Sequence, residues 1–147
     1  MVGEAADLLL ARLLVLGVPV RAELVRVGVV LHDAGKILHP AELDRAGGEH
    51  EPAGEALLLE HGVSPELARI CVSHAGWEVM PVSLEELLVA LADKLWKGVR
   101  KPALEERVID LVAAELGKDR WEIFVGLDTL FEAIAADGVM RLERSRL

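Results

Sequence analysis

Apolar residues recur at intervals of three and four along most of the chain and nowhere alternate convincingly, so the sequence predicts helices throughout. Leu9, Leu10, Leu13 and Leu16 mark a first helix from about residue 3 to 16, stopped by Gly17-Val18-Pro19. Val25, Gly28, Val29 and His32 share one stripe of a second, from Ala22 to Leu31, which ends in Leu31-His32-Asp33-Ala34-Gly35-Lys36 with Gly35 placed as a cap. Residues 37–49 contain His39, Pro40, Gly47 and Gly48 with little periodicity, and read as a loop bordering a pocket. A third helix runs from His50 to Gly62. Ser64-Pro65-Glu66 then supplies an N-cap, a first-turn proline and an early acid for a fourth, whose stripe Leu67, Ile70, Cys71 and His74 turns His74 inward before Gly76 ends it. Ser83 with Glu86 forms a capping-box pattern for a fifth, carrying Leu84, Leu87, Leu88, Leu91 and Leu95, with Asp93 on a neighbouring face and Gly98 closing the segment. Leu104–Leu116 and Asp119–Ala136 complete the set, and the last residues read as frayed. The β-branched run Val27 to Val30 lies inside a helical pattern, and no internal repeat or low-complexity segment interrupts it. The expected class is all-α, a bundle of about six or seven helices. It forms one domain over 1–147, with a site-bearing stretch at 1–98 and a C-terminal helical pair at 103–147 joined through Arg100-Lys101-Pro102.

Composition narrows this. A chain of 147 residues that is 52% hydrophobic is one domain with a sizeable core. Its mean hydropathy of +0.35 raises a membrane reading. The richest stretch, Leu8 to Val20, is nevertheless broken by Arg12, Gly17 and Pro19, far short of the roughly 20 apolar residues a span needs. Glu4 and Asp7 precede the first basic residue, Arg12, the reverse of a signal peptide. Cys71 is the lone cysteine, which fits a reducing, cytoplasmic setting. Sixteen Lys and Arg against 25 Asp and Glu leave a net charge of −9, which argues against a nucleic-acid polymer as partner. Small anions stay open, because a bound metal sets the local charge of a pocket.

The chemistry concentrates in the doublet His32-Asp33 with His50, His74 and Asp93, each at a helix end or on a helix face. A bundle can gather such residues from distant helices. Singly, a histidine of this kind usually reads as a core or helix-end residue. As an ordered set they read as a metal site, since Asp33 and Asp93 beside apolar stripes would be costly to bury without a partner. Mixed imidazole and carboxylate donors suit Mn²⁺, Fe²⁺, Co²⁺, Ni²⁺ or Zn²⁺. His61, before Gly62, reads as a helix C-terminal cap and His39 as solvated. Trp77 and Trp96 read as packing residues, and Cys71 as a small hydrophobe.

Leu-His-Asp-Ala-Gly-Lys at 31–36, Gly-Glu-His-Glu-Pro-Ala-Gly around His50, Cys-Val-Ser-His-Ala-Gly-Trp around His74 and Ala-Leu-Ala-Asp-Lys-Leu-Trp-Lys-Gly around Asp93 together resemble the HD-domain superfamily of metal-dependent phosphohydrolases over residues 1–98. The likeness is strongest to the branch with two extra histidines. That branch includes HDIG-type proteins, HD-GYP cyclic-dinucleotide phosphodiesterases and diadenosine tetraphosphate hydrolases. The resemblance implies one or two divalent transition-metal ions held by His32, Asp33, His50, His74 and Asp93, with His50 and His74 serving the second ion. It further implies hydrolysis of a small phosphorylated, nucleotide-like metabolite by a metal-activated water. Asp33 would bridge the ions, and Lys36 would contact a phosphate oxygen, with Lys94 and Lys97 as weaker candidates for that contact. The family's first-helix histidine has no counterpart near Met1 to Glu4. That leaves Glu4 as a substitute ligand, a first site with fewer protein ligands, lost catalysis, or a sequence that begins downstream of the natural start, with a weakened or differently loaded first site ranked ahead of complete loss. Three rival functions follow: a noncatalytic metal- or nucleotide-binding module, a di-iron oxygenase-type protein, and a structural adaptor. Apolar faces on the C-terminal pair would fit a homodimer.

Overall fold

The Ser83–Glu86 capping box forms as read. Glu86 N donates to Ser83 Oγ at 3.2 Å, and Ser83 N donates to Glu86 Oε1 at 3.1 Å. It starts a helix, Leu84–Trp96, in which every residue from Glu86 to Asp93 is buried, and Leu95 with them. A helix apolar all round belongs in the middle of a fold. In the computed structural model, which describes residues 1–37 and 50–145 and leaves the side chains of residues 36, 37, 50, 142 and 145 outside the description, it is the central element. In chain order the helices are α1 (Val2–Leu16), α2 (Ala22–Leu31), α3 (His50–Glu60), α4 (Pro65–Ala68), α5 (Ile70–Gly76), α6 (Leu84–Trp96), α7 (Pro102–Leu116) and α8 (Arg120–Ser145), with a 3-10 turn at Ala34–Ile37. Among the described residues no strand occurs, so the fold is all-α. Helices α1, α2, α5, α7 and α8 all pack against α6. Leu87, Leu88, Leu91 and Leu95 are 0–1% exposed along it, each contributing about 1.5–3 kcal/mol of burial. No helix among the described residues is long and apolar enough to cross a membrane.

Helix α3 stands apart from this arrangement. It packs on the 3-10 turn, α4 and α5, over a small cluster of Leu58, Ala68 and Cys71. What lets it come close is Gly54, where a Cβ would lie 2.7 Å from Gly35 N and 3.1 Å from Cys71 Sγ. Gly35 is therefore not the left-handed cap expected from its place after the doublet, since its φ is not positive. Its value is a bare backbone facing Gly54.

Two further expectations change. The fourth helix divides at Arg69 into α4 and α5; the residue keeps helical dihedrals, while its guanidinium crosses to Glu86 at 2.8 Å and to the Pro81 carbonyl. The last helix does not fray after Ala136 but continues to Ser145. It is held there by the end of α6. A Cβ on Gly138 would meet Gly98 N at 2.5 Å, Trp96 O at 2.6 Å and Leu95 O at 2.8 Å, so only glycine lets the two helices touch backbone to backbone. One turn on, the Arg141 guanidinium stacks 4.0 Å over the Trp96 ring and donates to Trp96 O at 3.4 Å. The loop reading of residues 37–49 lies outside the described residues, apart from Ile37, which closes the 3-10 turn.

Candidate metal centre

His32 is the C-cap residue of α2, at the end of the stripe that buries Val25, Gly28 and Val29. Its ring is carried inward and is 5% exposed. His74 arrives from α5 on the stripe of Ile70 and Cys71 and is 7% exposed. Asp93 comes from the last full turn of α6. The two rings meet edge to face with centroids 4.9 Å apart. Asp33, at the partly exposed rim, places Oδ2 3.2 Å from His32 Nε2 and Oδ1 3.9 Å from His74 Nε2. Asp93 Oδ1 lies 3.4 Å from His32 Nε2.

Both imidazoles are oriented by their own helices. His32 Nδ1 lies 2.5 Å from Val29 O, and His74 Nδ1 lies 2.9 Å from Ile70 O. A carbonyl only accepts, so each Nδ1 carries the proton, and each Nε2 points into the cluster with its lone pair available whenever the ring is neutral.

The electrostatics separate the two rings. Burial alone would lower the His32 pKa, but Asp33 and Asp93 outweigh it and raise it to about 9, so His32 is an imidazolium at neutral pH. Burial, reinforced by that positive neighbour, pushes His74 down to about 4 and keeps it neutral. Burial works against ionised Asp93, yet His32 and Lys97 bring its pKa down to about 2. Cys71 is driven up to about 11, chiefly by burial, and its thiol donates to Leu31 O at 3.3 Å. It is a packing residue, not a nucleophile.

His32 Nε2 is buried without a directed hydrogen bond, although two carboxylates lie within ion-pair distance. The two carboxylates stabilise it as an N–H of the charged ring, and the same atom is free to act as a donor to a metal once that proton leaves. His32, Asp33 and His74 each offer one ligand atom, all within 4.8 Å of one another, and Asp93 adjoins them through its contact with His32. Two imidazole nitrogens and two carboxylates match the donor set of a divalent transition metal, so these residues fit such an ion.

The other sequence candidates fall elsewhere. The side chains of His50 and Lys36, and all of His39, lie outside the described residues; His50 is the first residue of α3, one turn before Gly54. Glu4 is exposed and pairs with the N-terminal amine at 3.5 Å, outside the cluster. His61 Nδ1 meets Leu57 O at 2.9 Å, as a helix-end histidine should. Trp77 is buried, with the Arg107 guanidinium 5.7 Å from its ring centroid. The sequence reading did not find the Nδ1 tethers or the Gly54–Gly35 approach. Histidines three and four residues beyond a helical carbonyl, and a glycine one turn past His50, were the signals available.

The sequence model of one family, described as the HD domain, matches residues 6–111. An uncharacterized protein of Methanocaldococcus jannaschii is 33% identical over 119 residues, covering 70% of this chain and 66% of that protein. Ribonuclease Y of Thermosipho melanesiensis is 33% identical over 111 residues, covering 73% of this chain and 21% of that enzyme. The chain thus spans just under two thirds of the first and about a fifth of the second. No solved structure matches it.

Proposed function

Because the chain belongs to the HD-domain family, we propose that it is a phosphohydrolase that uses one or two divalent transition-metal ions to cleave a small phosphorylated, nucleotide-like substrate. The observation that carries this reading is the convergence of ligand atoms from His32, Asp33 and His74 within 4.8 Å of one another, with Asp93 adjoining through His32. A divalent cation supplies Lewis acidity toward a phosphoryl oxygen and an activated water.

The chain's own residues do the rest. The Val29 and Ile70 carbonyls fix both ring orientations, so neither ring has to turn to present its Nε2. Asp33, at the rim and 36% exposed, can face both the ion and solvent, the position from which a carboxylate orients an incoming water and accepts its proton. Asp93 is held ionised in the interior. His50 with His74 would serve a second ion, and Lys36, one turn beyond the doublet, would meet a phosphate oxygen as a point charge. Ribonuclease Y acts on RNA by its name; phosphoester cleavage is the chemistry in common, and the net charge of −9 favours a small substrate over a polymer. The buried thiol of Cys71 suits the cytoplasm.

The test is metal stoichiometry by mass spectrometry after Mn²⁺ or Fe²⁺ reconstitution and desalting, with bis(p-nitrophenyl) phosphate hydrolysis measured on the same samples. One or two retained ions with turnover, both reduced in Asp33→Ala, are expected. Retained metal without turnover on this or any nucleotide phosphoester would favour a binding module. No retained metal would sink the reading.

A further inference from the structure

Lys97, on sequence only a weaker candidate for the phosphate contact, has a definite place in the fold. It is the C-cap of α6, one turn after Asp93, and its Nζ lies 3.2 Å from Asp93 Oδ1 and 3.3 Å from Oδ2. A lysine at a helix C-terminus ordinarily points to water and favours the helix dipole. Here the ammonium folds back onto a carboxylate that is 7% exposed, while the lysine side chain itself stays 47% exposed. It stands at the boundary between the cluster and solvent.

That placement cannot persist unchanged once Asp93 serves a metal. An oxygen committed to a divalent cation is a poor acceptor for an ammonium, so at least one of the two contacts must weaken. The charge that is released matters. Asp33, Asp93 and one divalent ion cancel formally, so the Lys97 ammonium beside them puts a positive charge on the open side of the loaded site. An anionic phosphoryl group requires that sign, and a flexible point charge on a long stem can follow it.

We propose that Lys97 is a substrate-binding residue, its ammonium covering Asp93 in the metal-free protein and engaging a phosphoryl oxygen of the substrate once Asp93 holds a metal. This rests on the metal-dependent reading above. The competing role is a brace that merely orients Asp93, and the two roles give opposite signs. A brace, when removed, weakens metal binding. A cation next to the metal, when removed, strengthens it, while phosphate binding suffers.

The experiment titrates the full chain with Mn²⁺ by calorimetry, then titrates the Mn²⁺-loaded protein with inorganic phosphate, comparing the parent with Lys97→Gln and Lys97→Arg. For Lys97→Gln, Mn²⁺ should bind as tightly as in the parent or up to about fivefold tighter, and phosphate about tenfold or more weaker, the loss of one charged hydrogen bond. Lys97→Arg should recover most of the phosphate affinity. Thermal melts confirm that the variants fold, as expected for a half-exposed side chain. Weaker Mn²⁺ binding with unchanged phosphate affinity would establish the brace and overturn the proposal, as would no change in either. Failure of the parent itself to bind Mn²⁺ is a separate result, which removes the metal reading and this assignment with it.

Discussion

Replacing Gly54 by alanine sets two known effects against each other at one position. In the interior of an exposed helix, glycine to alanine stabilises by about 0.8–1.0 kcal/mol. At Gly54 the new methyl would lie 2.7 Å from the backbone nitrogen of Gly35 and 3.1 Å from Cys71 Sγ, whereas ordinary contact starts at 3.4 Å. The obstacle at 2.7 Å is main chain and cannot rotate away, so α3 and the 3-10 turn must separate by about 0.7 Å, the difference between those two distances. Overpacking of this kind costs roughly 1–3 kcal/mol, giving a net loss of about 0–2 kcal/mol. At about 2.1 cal/mol/K per residue of unfolding entropy, 1 kcal/mol is about 3 °C for a chain of this length, so Tm should stay level or fall by up to about 6 °C. Gly126 provides the control. It is an exposed helical glycine whose nearest foreign atom is Arg12 Nη1 at 3.7 Å, and Gly126→Ala should raise Tm by about 3 °C. Calorimetric melts in chelator measure both. Because Gly35 is two residues from Asp33, Gly54→Ala should also cut turnover of the metal-loaded protein by tenfold or more, since displacements on the order of 1 Å cost up to about 10²-fold. Equal upward shifts of Tm in the two variants, with turnover intact, would refute the reasoning.

The cluster also sets a pH profile for the metal-free protein. His32 has its pKa raised to about 9, so its stabilising contribution is full below about 6.5 and is lost as pH rises toward 9. His74, lowered to about 4, contributes above about 6.5 and loses that contribution as pH falls toward 4; Asp93 adds a further loss only as pH falls from about 3.8 toward 2. Urea midpoints should therefore peak near neutral pH, and a monotonic rise from pH 5 to 9 would contradict the assignment. Mn²⁺ binding at pH 7.5 should release a proton from His32, seen as a buffer-dependent calorimetric enthalpy; no buffer dependence would contradict a charged His32 that becomes a ligand. Away from the site, Arg100 binds the buried Glu105 through two contacts of 2.7 and 2.8 Å and reaches Asp128 at 2.7 Å. Arg100→Ala should cost about 2–4 kcal/mol in denaturant melts, less than a fully buried pair because the arginine is partly exposed, and Arg100→Ala with Glu105→Leu should recover part of it.

The helices were legible because each announces itself locally. The Ser83–Glu86 box, the proline at 65 and the apolar stripes act within one or two turns, and the helical period alone turns His32 and His74 inward. The meeting of His32, Asp33, His74 and Asp93 follows from α2, α5 and α6 sharing one core. What could not be read depends on approach between segments distant in sequence. Gly35 looks like a helix stop until Gly54 is seen against it, and the extension of α8 past Ala136 depends on Gly138 meeting the end of α6. Likewise the lysines near Asp93 look equivalent on paper, and only the fold shows Lys97 spanning both carboxylate oxygens.

The contact at Gly138 has a bearing on what sets the position of the centre. The helix that carries Asp93 and Lys97 ends against main chain supplied by α8, beyond the 6–111 stretch that marks the family. Substitutions there can tilt the end of α6 without altering any ligand, so the position of Asp93 in this chain is adjustable from a segment outside the family stretch.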